Sequence, residues 1–456
     1  MVATTPDATP RPRLIIIAAD VVGARMAGPG LRFVKIAEQL AAVADVTLAV
    51  GIEGSDTETL RDRGFSVAPY RDRDELIALV SHNDIAFCQL IDEEVVRRGA
   101  EAGCRFVFDL YNVLPAEAVG AERIGGFDTQ PEMDDVFRGV LSFFRFCMRA
   151  GSYFVTSNER QRDFWIGYLM SADGLLPSDL DGRHVAELIG LAPFGMEDGE
   201  PEAEEHGIRG RMGIGADDLV LLWAGGIWDW FDAETPIRAV AELRRERPDV
   251  HLVFYGTTHP NALIGRPKTV ERARSLAEEL GVLDAGVHFV EGWVPADRRA
   301  DFLLDADIAI SSHKESFETR YAFRTRILDH FWASLPSIVT EGDWFAGYIE
   351  GEGLGCVVPY GDVAATKAAI VELADDARRR AVRERIQAIR PSWRWSQTTA
   401  ELAGAIAQWR TRLTPRAVPA APAPSEAVPS RSRVRELLSR SPLGSVYRAL
   451  RARLAR

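Results

Sequence analysis

The chain is short of cysteine and has no long apolar run. Its four cysteines, Cys88, Cys104, Cys147 and Cys356, are scattered without a CxxC pair. This excludes a disulfide framework and a zinc site, and it reads as small buried hydrophobes in a reducing compartment. No stretch approaches the roughly 20 apolar residues of a membrane span. The N-terminal MVATTPDATPRPR lacks an apolar core and does not read as a signal peptide, so a cytoplasmic protein is expected. An excess of positive charge is missing too. The formal net charge is −13, which argues against nucleic acid as the main partner because phosphate backbones attract basic surfaces. No GxGxxG fingerprint with a following acid is present, which disfavours NAD.

What the chain does have is alternation. At 456 residues it is long enough for two to three domains. Buried-strand patterns at Leu14–Ala19, Val46–Val50, Phe65–Ala68, Ile85–Gln89, Phe106–Leu110 and Tyr153–Thr156 alternate with helical spacing. After a proline-, glycine- and acid-rich break the alternation restarts, with strands predicted at Leu219–Trp223, His251–Tyr255, His288–Val290, Ile308–Ile310, Ser337–Thr340 and Leu354–Pro359. Strands alternating with helices predict an α/β protein with two doubly wound parallel sheets. The boundaries expected are a disordered lead at 1–12, an N-terminal domain at 13–190, a C-terminal domain at 191–390 and one final helix at 391–412 that packs back on the cleft. A Pro/Ala linker at 413–430 and a basic amphipathic tail at 431–456 complete the chain. That tail carries eight arginines and one acid, Glu436, beside an apolar stripe. Such a segment suits an anionic membrane surface; an acidic protein partner is the other reading.

The stretch 311–343 concentrates the chemistry. Glu315 and Glu318 lie in a charged loop, Arg324 and Arg326 near the start of a predicted helix, and Glu341-Gly342-Asp343 forms a turn after the next strand. The arginine fork matches a diphosphate, and carboxylates accept from sugar hydroxyls. A solvated helix face with i,i+4 pairs is the plainer reading. On the N-terminal side, Gly28 and Gly30 allow close approach of a phosphate or sugar to backbone amides, and Arg32 follows them. Asp109 and Asn112 stand at the carboxyl end of a strand, where open sheets bind ligands. Asp109 is a candidate for acceptor hydroxyls or proton transfer. Trp228 and Trp230 form an aromatic loop able to stack on a sugar or base.

Four pieces carry a family resemblance. Met26 to Arg32 is similar to the glycine-rich acceptor-side loop of glycosyltransferase family four, and Trp223-Ala224-Gly225-Gly226 resembles the turn opening its donor domain. Asp305-Ala306-Asp307-Ile308 with Ser311-Ser312, and Asp329 to Thr340, resemble two further family segments. The resemblance implies a GT-B fold: two Rossmann-like domains facing a central cleft, with the amphipathic tail beyond. It implies a retaining transfer from a nucleoside diphosphate sugar to a glycan or lipid-linked acceptor in cell-envelope polysaccharide synthesis, at the inner face of the membrane, with no cofactor or essential metal. With the residue-level readings above, Asp109, Glu315 and Arg326 are expected to be catalytic. Gly225, Gly226, Trp228, Glu318, Arg324, Asp329 and Gly342 hold the donor, and Gly28, Gly30, Arg32 and Asn112 hold the acceptor.

The family's paired acids lie eight positions apart, but Tyr321 stands eight before Asp329. Glu315 lies fourteen before it, and Glu318 is a rival for its role. The family's Arg and Lys after the Gly225-Gly226 turn are replaced by Ile227 to Asp232, so Arg324 or Arg326 is expected to supply the charge. A GT-B nucleotide-sugar epimerase and a non-catalytic GT-B subunit remain the alternatives.

Overall fold

A computed structural model of the chain describes residues 11–24, 26–89, 91–119, 129–180, 182–257, 268–292, 294–416 and 418. The first lobe is a seven-stranded sheet of β1 (Arg13–Ile17), β2 (Asp45–Val50), β3 (Ser66–Pro69), β4 (Ile85–Cys88), β5 (Arg105–Asp109), β6 (Tyr153–Thr156) and β7 (Ile189–Leu191). Their spatial order is β3-β2-β1-β4-β5-β6-β7, and every pairing is parallel. The second lobe contains β8 (Leu219–Trp223), β9 (Val250–Phe254), β10 (Val287–Phe289), β11 (Ile308–Ser311), β12 (Ser337–Thr340) and β13 (Gly355–Val358). It is also wholly parallel, in the order β10-β9-β8-β11-β12-β13. Helices cover both faces, so β1, β8 and β9 are apolar almost throughout and buried.

The strand order reverses between β1 and β4 in the first lobe and between β8 and β11 in the second. Open α/β sheets form their ligand crevice at such switch points, outside the carboxyl ends of the strands. The loops leaving β1 and β8 are the two glycine-bearing loops, and the loop leaving β11 carries Glu315 to Arg326.

Several elements were not expected, and four of them are instructive. β7 is only three residues long. The helix Glu93–Glu101 buries just Val95, Val96 and Gly99, and Asp376–Ile389 just Val382 and Ile386, so each shows a thin apolar stripe. The helix Trp344–Glu352 begins right after the predicted turn, because Asp343 accepts from the Ala346 amide at 2.7 Å and caps it. One expectation is corrected. The single helix at 391–412 is instead a 3-10 turn, Arg390–Trp393, and three short helices, Trp395–Thr398, Ala400–Ala407 and Trp409–Arg412. The Thr399 hydroxyl donates to the Trp395 carbonyl at 2.6 Å, a local bond that competes with the helical ladder. These pieces return to the first lobe: Leu191 donates to Glu401 at 2.9 Å, and Arg105 donates to the carbonyls of Trp409 and Leu413 at 2.7 Å each. The segment 431–456, expected as a basic amphipathic tail, lies outside the described residues. Among the described residues no helix is long and apolar enough to cross a membrane.

His330 joins the helix Arg326–Trp332 to β12 through a 3.0 Å hydrogen bond with the Ser337 hydroxyl, and it is fully buried. Burial, helped by Arg326, pushes its imidazole down to about 3. The unfolded chain therefore takes up a proton below about pH 6.5 that the folded chain refuses, so this contribution is lost as pH falls. Urea unfolding of the His330→Gln variant should show a loss of stability between pH 7 and pH 5 that is smaller than wild type by about 2 kcal/mol.

Candidate active site

On the first lobe, the β1 loop leads into the helix Gly28–Leu40, which starts with Pro29 in its first turn and no side-chain cap. Gly30 is buried, and a Cβ there would collide with the Val21 carbonyl. Gly28 is exposed, and a Cβ there would meet only the Phe194 ring edge, at 4.0 Å. Arg32 and Asp109 do not face the cleft. Arg32 Nε and Nη2 donate to the two Asp109 oxygens at 2.7 and 2.8 Å, Nη2 also donates to the Ala192 carbonyl at 2.8 Å, and both side chains are 0% exposed. The guanidinium lies 5.2 Å from the Tyr111 ring centre and 4.8 Å from that of Phe194. The acceptor role expected of Arg32 and the catalytic role expected of Asp109 are therefore corrected. The two neutralise each other and fasten the helix, β5 and the interlobe segment together. Asn112 is different: its Oδ1 accepts from Gln89 at 2.9 Å and its Nδ2 donates to Glu117 at 3.0 Å.

On the second lobe, Gly225 adopts φ +103°, and a Cβ on Gly256 would sit 2.9 Å from the Gly225 carbonyl carbon, so the loops after β8 and β9 meet backbone to backbone. The β8 loop is also sewn to the β11 loop. Ser312 Oγ donates to the Asp232 carbonyl at 2.6 Å, and the amides of Asp232 and Lys314 donate to the carbonyls of Ser312 and Trp230, each at 3.1 Å. Trp228 stacks with Trp230, centres 5.9 Å apart, and Trp230 is 41% exposed.

The two arginines divide here. Arg324, just ahead of the helix rather than within it, makes a bidentate pair with Glu318 at 3.0 and 2.8 Å and lies 3.8 Å from Asp343. Arg326, the first residue of the helix, has no carboxylate ion pair among the described residues. Its guanidinium lies over Phe231 at 4.0 Å and Trp223 at 4.8 Å, Nη2 donates to the Gly226 carbonyl, and buried Nη1 has no partner. Burial and neighbouring Arg324 pull it down to about 9. His313, bonded through Nε2 to the Glu341 carbonyl at 3.1 Å, is pushed down to about 3 by burial and by Arg324. It is a neutral structural group.

Asp329 accepts from Arg299 at 2.7 Å, and Arg299 reaches Glu197 at 3.7 Å, so the Asp329 charge serves that network. Glu315 is exposed on the rim. Gly342, at φ +99°, packs where a Cβ would strike the Tyr360 hydroxyl, and its carbonyl accepts from Arg160 of the first lobe at 2.8 Å. Gly225, Gly226, Trp228, Glu318, Arg324, Arg326 and Gly342 thus surround one mouth. Sequence reasoning missed Phe231, whose ring carries both arginines, and also Arg160 and Glu117. The only signal for Phe231 was the aromatic run Trp228 to Phe231.

Residues 218–376, which contain this mouth, match the family model described as Glycosyl transferases group 1. This segment is similar to a group 1 glycosyl transferase domain. Two curated relatives are D-inositol 3-phosphate glycosyltransferases. That of Kineococcus radiotolerans is 28% identical over 219 residues, covering 44% of this chain and 47% of its own length. That of Acidothermus cellulolyticus is 32% identical over 110 residues, 24% of each. The chain thus spans about half or less of the curated relatives it matches. Among solved structures, Anabaena HepE in complex with UDP-glucose superposes with a TM-score of 0.62 at 14% identity, covering 87% of this chain and 99% of that one. That likeness establishes the two-lobed GT-B fold.

Replacing Asp109 with Asn should strand the Arg32 cation in the core. Urea unfolding is expected to show a loss of about 3–5 kcal/mol; a loss below about 1 kcal/mol would mean that the pair contributes little.

Proposed function

We propose that the protein transfers a sugar, with retention and without a metal, from a nucleoside diphosphate sugar to a glycan or lipid-linked acceptor of the cell envelope. The observation that carries this is Arg326. A guanidinium buried against two aromatic faces and lacking a carboxylate is a site short of one anion, and a diphosphate supplies that anion with matching geometry. It lies at the Gly226 carbonyl, the place where the sequence lacks the Arg and Lys that family four places after this turn. Charge developing on the leaving diphosphate would be stabilised by this fixed cation. The relatives' names and the UDP-glucose bound by HepE support a nucleotide-sugar donor. The Trp228–Trp230 pair offers a flat face for the sugar or base, and Glu318 and Glu315 offer acceptors for sugar hydroxyls.

Removal of Arg326 checks the donor site. Calorimetry with the nucleotide sugar that most raises wild-type thermal stability should show Arg326→Ala binding about tenfold or more weakly, since a buried charge-assisted contact is lost. Wild-type affinity in that variant would take Arg326 out of the site. The absent Arg and Lys also favour a second reading, a GT-B subunit without turnover. It predicts donor binding with no release of nucleoside diphosphate under any acceptor.

The membrane part of the proposal rests on the arginine-rich sequence 431–456. A protein lacking 431–456 should no longer sediment with vesicles rich in anionic phospholipid, while its donor affinity stays at the wild-type level. Undiminished sedimentation would reject a membrane role for the tail.

A further inference from the structure

Glu117 stands on the acceptor lobe, in the short helix Leu114–Val119 that follows β5. It is half-buried and forms no ion pair among the described residues. Its orientation is set from behind. Gln89 Nε2 donates to Asn112 Oδ1 at 2.9 Å, which turns the Asn112 amide so that Nδ2 donates to Glu117 Oε1 at 3.0 Å. Gln89 follows β4 and Asn112 follows β5, so the chain of bonds runs along the carboxyl ends of two neighbouring strands, beside the switch point. Only one carboxylate oxygen is used in this way; Oε2 accepts no hydrogen bond from the described residues.

Glu318 and Arg324 of the second lobe lie near enough to act on the Glu117 carboxyl through their charges. Arg324 is already committed to Glu318 and Asp343, so it leaves the Glu117 charge unpaired. Tyr111 is a further titratable neighbour among the described residues. Burial and then Glu318 push the Glu117 carboxyl up to about 7, against the pull of Asn112 and Arg324. A half-buried carboxylate oxygen held in place, with no ion pair among the described residues, suits a hydroxyl donor and disfavours a phosphate.

We propose that Glu117 Oε2 accepts a hydrogen bond from an uncharged hydroxyl of the acceptor and positions that hydroxyl against the donor held by the second lobe. The proposal rests on the donor reading above and names the acceptor chemistry at this point: a polyol or sugar hydroxyl, not an anion.

The test needs no knowledge of the natural acceptor, because water is the smallest hydroxyl donor. A thermal-shift panel of nucleotide sugars identifies the donor that binds the full-length protein. Its hydrolysis is then followed by nucleoside diphosphate release in wild type, Glu117→Gln and Glu117→Asp. Glu117→Gln should bind donor within about twofold of wild type but hydrolyse it about tenfold more slowly, the loss expected for one charge-assisted hydrogen bond. The wild-type rate should fall below about pH 7 as the carboxylate protonates, the Gln variant should lack that fall, and Asp should restore part of the rate. A Gln variant with the wild-type rate and pH profile would overturn the proposal, as would an equal loss of donor affinity or donor binding with no wild-type hydrolysis. If no nucleotide sugar binds wild type, the donor reading itself fails and takes this proposal with it.

Discussion

A guanidinium packed against aromatic faces with no carboxylate ion pair among the described residues is the constraint on which the second lobe is built. Removing an arginine from water is costly, and the faces of Trp223 and Phe231 return only part of that cost. The rest of the local design keeps Arg326 uncompensated. Glu318 and Asp343, the acids nearest the loop, are taken by Arg324, and Asp329 is taken by Arg299. The Gly225-Gly226 turn presents a carbonyl and no side chain. Phe231 is held under both arginines by an antiparallel bridge to His313. Each of these choices is hard to understand for stability alone, since a nearby carboxylate in place of any neutral neighbour would relieve the buried charge. They are consistent with a site whose counter-ion arrives with the ligand.

The lobes are joined by more than a linker. The segment around Met196 runs beside Trp393 to Trp395, with the Met196 amide donating to the Trp393 carbonyl at 2.8 Å, and a Cβ on Gly195 would collide with the Trp395 backbone. Lys35 of the first lobe pairs with Glu197 at 2.7 Å, which in turn reaches Arg299 and so Asp329. At the other end, Gln161 donates to the Tyr321 carbonyl at 2.8 Å, and Trp344 donates to Glu159 at 3.0 Å. The loop that carries Glu318 and Arg324 is therefore held from both lobes. Any motion that separates the lobes at this end must break these polar bonds.

The parallel sheets were legible because a strand covered on both faces is written as a continuous apolar run, as in Leu14–Ile17 and Leu219–Trp223. Short or thinly striped elements such as β7 and Asp376–Ile389 were not, because too few residues touch the core to leave a period. That Gly225, Gly226 and Arg326 belong together was legible in outline: they were singled out by residue type and order, and they meet in space. Which arginine would be spent and which left free was not legible, since that depends on Glu318 folding back on Arg324. Asp109 was misread for the same reason. Its partner Arg32 lies far earlier in the chain, and nothing local to Asp109 announces that its charge is already answered.

This pairing also explains why the two faces of the cleft differ. On the first lobe the described cations nearest the crevice are occupied: Arg32 by Asp109, Lys35 by Glu197 and Glu38, and Arg160 by the carbonyls of Gly342 and Arg320. What that face offers is Asn112, Glu117 and an open glycine backbone, a surface of hydrogen-bond acceptors and amides. The second lobe offers a bare guanidinium and a stacked pair of tryptophans. A substrate with a diphosphate at one end and a hydroxyl partner at the other meets opposite chemistry on the two sides. If the proposed reading holds, its orientation in the cleft follows from charge: a pyrophosphate would be drawn to Arg326 and repelled from Glu117, so the sugar between them would be presented to the first lobe.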